Sequence, residues 1–297
     1  MNRTARVMFF LLCCQLLLAG CTASSDAPID RQVSVGTHVL YLHCLGKGSP
    51  TVVIETGSGE TYESWLPLIG KLTQKTRVCA YDRAGYGQSE PGPLPRDASR
   101  EADELRLLLQ KAGLKGPYVL VGHSLGGLIA QVFAGKYPGL LAGAVLLDPT
   151  PLGWLTGDAF PELRLMFTQQ ADDLESQAAA MRSSTDPQAR ATADFLTMVA
   201  SEMTEMLGAT AEQLAAIESF GNMPLTVVAA TQPDPRFGDS AQAFRQFWNE
   251  QSEELAQKST RGVFIRAEGS SHHIHLDAPE LVFDAVLEMV LHSREAS

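Results

Sequence analysis

The pentapeptide Gly122-His123-Ser124-Leu125-Gly126 fits G-x-S-x-G, the spacing that presents a serine hydroxyl as a nucleophile. Such a serine must sit on a tight, strained turn between a strand and a helix. Glycine on either side lets the backbone fold back there without side-chain clashes. At the start of that helix the N–H of Leu125 points at negative charge developing on a substrate carbonyl oxygen. A nucleophilic serine also needs a base. Ser271-His272-His273-Ile274-His275 lies near the C-terminus, just after the last strand-like run at 263–267, where that base belongs. His272 comes first after the run and is the expected base, with His273 and His275 as alternatives. Neighbouring histidines also raise a metal site, but they lack the partner Cys or carboxylate ligands of a recognisable metal motif, so no metal is expected. His123 occupies the variable position of the pentapeptide and reads as packing, while His38, His43 and His292 carry no chemical signal.

Holding these groups together takes a rigid frame, and the chain alternates strand-like with helix-like segments. Residues 33–35 and 39–44 read as a hairpin around Gly36-Thr37. Runs at 51–55, 77–81, 118–121, 144–147, 225–230 and 263–267 read as further strands. Residues 64–74, 99–112 and 125–136 read as helices; in the second, Ala102, Leu105, Leu108, Leu109 and Ala112 share one face. Pro279 suits the first turn of a closing helix. The pattern predicts an α/β fold, a mostly parallel eight-stranded sheet flanked by helices. Strand signals stop between 151 and 222, where Ala, Met, Gln and Glu dominate with breaks near Gly157, 183–187 and Gly208. That stretch reads as a helical cap inserted into a core of residues 33–150 and 223–297. Met166, Phe167, Phe195, Leu196, Met203 and Leu207 make it too apolar for a disordered linker.

The first residues read as an export signal. Arg3 and Arg6 precede an apolar run at 7–19, too short to span a bilayer, which ends in Leu18-Ala19-Gly20-Cys21. That tetrad resembles a bacterial lipobox, which makes Cys21 the lipidated first residue of the mature chain. Residues 1–20 are then the signal peptide and 21–32 a tether, placing the protein on the membrane of the bacterial cell envelope, most simply the periplasmic side of the outer membrane. Cys44 and Cys79 are the cysteines left in the body, an even pair in an oxidising compartment and so a disulfide candidate. With 23 Lys and Arg against 34 Asp and Glu, the net charge of -11 excludes nucleic acid as an expected partner.

In combination, these marks resemble the α/β-hydrolase superfamily, in a bacterial serine hydrolase branch. The residues that carry the likeness are Cys44-Leu45-Gly46-Lys47-Gly48, Val53-Ile54-Glu55-Thr56-Gly57-Ser58-Gly59, 77–89 with Asp82-Arg83-Ala84-Gly85-Tyr86-Gly87, Tyr118 to Ser124, Leu147-Asp148-Pro149 and Ser271-His272. The resemblance implies a second oxyanion donor after the third strand. Many relatives have His-Gly there; this chain has Thr56-Gly57, which leaves the backbone N–H of Ser58 as the donor. The Asp82–Gly87 loop is expected to be structural. The triad acid is expected from one of two turns: Asp148, directly after the strand before the cap, or Asp234, after the strand that follows it, with Asp239 a distant third. Asp148 is preferred because it follows Leu146-Leu147 without slack. The resemblance also makes the second and fourth strands neighbours, which would bring Cys44 and Cys79 face to face.

The expected function is hydrolysis of a small-molecule acyl substrate, most simply a carboxylic ester, through an acyl-enzyme and without a cofactor. An amide, a lactone or a diketone carbon–carbon bond is an alternative substrate on the same frame, and a non-catalytic ligand receptor is the alternative of another class.

Overall fold

The computed structural model describes residues 26–295; the proposed signal peptide and Cys21 lie outside the described residues. The first half runs β1 (Ile29–Ser34), β2 (Val39–Leu45), β3 (Thr51–Glu55), α1 (Leu66–Leu72), β4 (Val78–Tyr81), α2 (Ala98–Lys111), β5 (Tyr118–His123), α3 (Leu125–Lys136) and β6 (Leu141–Leu147). Four helices follow without a strand: α4 (Leu152–Thr156), α5 (Pro161–Met181), α6 (Pro187–Met206) and α7 (Ala209–Ala215). The chain then returns through β7 (Leu225–Ala230), α8 (Ala241–Gln257), β8 (Gly262–Ala267), α9 (Ile274–Asp277) and α10 (Pro279–Glu295).

The eight strands form one sheet in the order β1-β2-β4-β3-β5-β6-β7-β8. Only β2 runs antiparallel to its neighbours; the pairs from β4 to β8 are parallel. Central strands are buried on both faces, and period-two alternation sorts their side chains into two cores. Val53, Leu120, Leu146 and Val227 face the layer of α2, α3 and α8. Val52, Ile54, Val119, Val121, Val145, Leu147 and Val228 face α1 and α10. The side chain of Asp97 caps α2, accepting from the N–H groups of Ser99 and Arg100, and Asp186 followed by Pro187 starts α6 in a similar way. Cys44 stands opposite Cys79 in the β2–β4 register and the two are joined by a disulfide.

The structure departs from the sequence reading in two places. The hairpin begins at Ile29, not Val33: residues 29–32, read as tether, pair with Cys44 to Tyr41 of β2. Asp30, Arg31 and Gln32 are exposed on this edge strand, so the stretch lacks the apolar alternation of an inner strand. The helix α8 was not foreseen, and it carries a residue of the site.

Candidate active site

Ser124 follows β5 and precedes α3 with φ 53° and ψ −119°, a conformation that side chains rarely adopt. A Cβ on Gly122 would lie 2.5 Å from the Gly126 carbonyl oxygen, and one on Gly126 would lie 2.2 Å from that of Glu55. The turn therefore closes only with glycine at both positions. Among the described residues, only Ser124, Asp148 and Phe160 combine a side chain with positive φ. Two of these three are candidate site residues, as expected where strain is held by its surroundings for chemistry.

Asp148 follows β6 directly and is fully buried. Its Oδ2 lies 2.6 Å from His272 Nδ1. Its Oδ1 accepts from the Ala230 N–H at 3.0 Å and from Arg245 Nη1 at 2.8 Å. Burial pushes the Asp148 carboxyl up, but His272 and Arg245 outweigh it and hold the group below the ordinary carboxylate value. His272 sits in the loop after β8. Burial pushes its imidazole below the ordinary value, against the pull of Asp148. Asp234 is engaged elsewhere: both its oxygens bind the guanidinium of Arg236, and it accepts the Arg236 N–H at 2.9 Å. Asp239 is exposed in the following turn. Of the three acids considered, the structure brings Asp148 alone to His272.

Arg245 escaped the sequence reading. It projects from α8 and is nearly fully buried. One turn on, Trp248 packs edge-on against His272, with ring centroids 5.5 Å apart. A signal was present: Ala241, Phe244, Arg245, Trp248, Asn249 and Ser252 all fall on the buried face of α8. An arginine inside such a stripe calls for a buried carboxylate.

Leu125 opens α3, so its N–H has no carbonyl four residues back within the helix. The second expected donor is oriented by a loop read as structural. Arg83 donates to the Thr56 carbonyl and, through Nη2, to the Gly57 carbonyl at 2.8 Å. In a trans peptide the C=O and the next N–H point in opposite directions. With Gly57 C=O held by Arg83, the Ser58 N–H is turned the other way. Arg83 also binds Glu55 on β3 and Glu202 on α6, each at 3.0 Å, with all three side chains buried. The rest of the loop is structural as expected, with Asp82 accepting the N–H groups of Tyr62 and Gln88.

Ser124, His272, Leu125 and Ser58 line one cavity of about 550 Å³. Helices α5 and α6 supply much of its apolar wall, including Met166, Phe167, Leu174 and Met203. At its rim, His123 is more than packing. Its Nε2–H donates to the His272 carbonyl at 2.8 Å, and its Nδ1 lies 2.9 Å from Glu60 Oε1. Glu60 pairs in turn with His273. The carboxylate that meets these imidazoles thus arrives from the turn after β3.

A profile described as the Alpha/beta hydrolase family matches residues 39–285. The uncharacterized protein YqjL of Bacillus subtilis (strain 168) is 29% identical over 247 residues, covering 83% of this chain and 86% of that protein. A 2-(acetamidomethylene)succinate hydrolase of Mesorhizobium japonicum is 31% identical over 128 residues, 43% of this chain and 45% of that protein. Among solved structures, a candidate lipase of Acinetobacter baumannii AYE aligns with a TM-score of 0.70 at 18% identity, covering 92% of this chain and 94% of that one. A thermophilic esterase of Thermogutta terrifontis aligns with a TM-score of 0.65 at 21% identity, covering 90% and 99%. At these identities the two structures speak for the fold alone.

Proposed function

The chain belongs to the alpha/beta hydrolase family, and from that premise we propose that it is a serine hydrolase of carboxylic esters working through a Ser124-His272-Asp148 triad. One observation carries the proposal: Ser124, on a strained turn, shares a cavity with His272, whose Nδ1 is 2.6 Å from the buried Asp148. His272 Nε2 takes the proton of Ser124 as its Oγ attacks the ester carbonyl. The oxyanion rests on the N–H groups of Leu125 and Ser58. Collapse of the tetrahedral species expels the alcohol, protonated by His272. A water deprotonated by the same nitrogen then releases the acid and restores Ser124. Asp148 keeps the proton of neutral His272 on Nδ1 and balances the imidazolium. The apolar wall from α5 and α6 suits an uncharged acyl chain, and we read residues 151–222 as the cap that selects it.

The export reading belongs to the same proposal: a lipid on Cys21 tethers the enzyme to the cell envelope, and the Cys44–Cys79 bridge accords with an oxidising compartment. Among the described residues no helix is long and apolar enough to cross a membrane. The test is hydrolysis of p-nitrophenyl butyrate together with labelling by a fluorophosphonate probe. Both are expected in the parent protein and neither in Ser124→Ala. Labelling that persists in that variant refutes Ser124 as the nucleophile.

A further inference from the structure

The rim of the cavity holds more imidazole than ester hydrolysis uses. His272 is the base and His123 supports its backbone, which leaves His273 and His275 without a part in the reaction. Both stand beside Glu60. The Oε2 of Glu60 is held by the Gly57 N–H at 2.8 Å and by Trp65 Nε1 at 3.2 Å. Its Oε1 is thereby turned toward the imidazoles, 2.9 Å from His123 Nδ1 and 3.4 Å from His273 Nδ1. Ligand atoms about 2.0–2.1 Å from a tetrahedral zinc ion are about 3.3–3.5 Å apart, so this pair already has the span of a coordination edge.

His275 supplies an independent observation. It is 4% exposed and lies flat on Trp65, with centroids 4.1 Å apart and planes 6° from parallel. Neither of its ring nitrogens has a hydrogen-bond partner among the described residues. A buried imidazole left so is unusual, because its polar atoms have given up water for nothing. One ligand atom each from Glu60, His273 and His275 falls within 4.8 Å of the others.

We propose that Glu60, His273 and His275 form a binding site for a divalent transition-metal cation of the Zn2+ class at the rim of the cavity. Two imidazoles and one carboxylate are a zinc-type donor set, whereas Mg2+ and Ca2+ ask for oxygen ligands throughout. The donors behind Glu60 fix its carboxylate as ligand-supporting hydrogen bonds do in metal sites. Glu60 and His273 also line the space that holds Ser124, so a hydrated cation there occupies part of the substrate's volume and slows acylation. This last consequence rests on the serine-hydrolase reading; the binding site does not.

The experiment is calorimetric titration of the tag-free, full-length protein with ZnCl2. One saturable equivalent is expected. Glu60→Gln and His273→Gln should each weaken it at least about tenfold, while His292→Gln, exposed on α10, leaves it unchanged. His275 packs against Trp65 and its removal can disturb the fold, so the exposed His273 decides the matter. No saturable equivalent, or parental affinity in either ligand variant, overturns the proposal. Fluorophosphonate labelling of Ser124 is then timed with and without ZnCl2. It should slow in the parent and not in His273→Gln; an equal rate in the zinc-saturated parent overturns the occlusion. Absence of labelling even without zinc removes the serine-nucleophile reading, and the titration still decides the site.

Discussion

Replacing Asp148 by asparagine takes away a charge and keeps the shape, and the structure says how the new amide will sit. The Oδ1 position faces two fixed donors, the Ala230 N–H at 3.0 Å and Arg245 Nη1 at 2.8 Å, while the Oδ2 position faces His272 Nδ1 at 2.6 Å and the same Nη1 at 3.0 Å. The single amide oxygen is drawn to that side, which leaves the NH2 facing His272 Nδ1. An NH2 donates, so Nδ1 must accept, and the proton of the neutral imidazole moves to Nε2. That is the atom that must be bare to receive the proton of Ser124. The variant thus loses both the working tautomer and the counter-charge of the imidazolium. The equivalent change in a serine protease triad costs about 10⁴ in kcat, or about 5 kcal/mol of barrier. It also leaves Arg245 buried without its carboxylate, which costs stability of about 3–5 kcal/mol. Circular dichroism and a melting curve must therefore confirm that the assayed variant is folded. The assay is kcat on p-nitrophenyl butyrate beside Asp234→Asn, whose partner is Arg236 and not His272. Asp234→Asn should stay within about tenfold of the parent. A folded Asp148→Asn within tenfold of the parent, or a thousandfold loss in Asp234→Asn, refutes the argument.

The pH profile follows from His272. Burial holds its pKa below the ordinary 6.5, so the neutral base survives below that pH, and the acid limb of kcat/KM should have its midpoint under 6.5; a midpoint above 7 contradicts this. Removing the disulfide with Cys44→Ala/Cys79→Ala frees a loop with a sequence separation of 35 in the unfolded chain. The expected loss is about 3–4 kcal/mol, a fall in melting temperature on the order of 10 °C, and an unchanged melting curve would show that the bridge contributes nothing. Phe167→Ala opens the apolar wall of the cavity and should shift preference toward longer acyl esters; the same ranking of acetate, butyrate and octanoate esters in parent and variant sinks the selective role of the cap. Cys21→Ser should move the protein from the membrane to the soluble fraction of cells, and a variant still in the membrane fraction rules out the lipid anchor.

What was legible in the sequence was local. The turn at Ser124 is encoded within five residues, because its glycines answer contacts that the turn itself creates. The parallel strands were legible as short apolar runs because they are buried on both faces. The β2–β4 pairing that joins the cysteines needed the strand order, which came with the resemblance. Long-range partners were not legible. Arg245 reaches Asp148 across 97 positions, and Glu60 meets His273 only because the turn after β3 and the loop after β8 lie at one edge of the cavity. A polar side chain inside an apolar stripe marks that a partner exists without naming it. β1 was read short for the opposite reason: its pairing comes from backbone bonds, and its exposed side chains leave little pattern to read.

Arg83 shows why a motif can be structural and still matter to the chemistry. A buried guanidinium is costly to desolvate and a buried ion pair is weak support for stability, so what it offers is the specification of one geometry. Here Arg83 meets three regions at once: Glu55 on β3, the Thr56 and Gly57 carbonyls of the turn that carries Ser58, and Glu202 on α6. Burial pushes Glu55 up to about 7 against the pull of Arg83 and of the Tyr81 hydroxyl, so its charge depends on those two partners. Tyr86, from the same loop as Arg83, donates to Glu202 at 2.5 Å and completes the grip on α6. Displacing α6 would strand Glu202 and free one arm of the guanidinium that orients the Gly57–Ser58 peptide. The helix that walls the cavity and the turn proposed to bind the oxyanion therefore share one buried cation, and neither moves without a cost to the other.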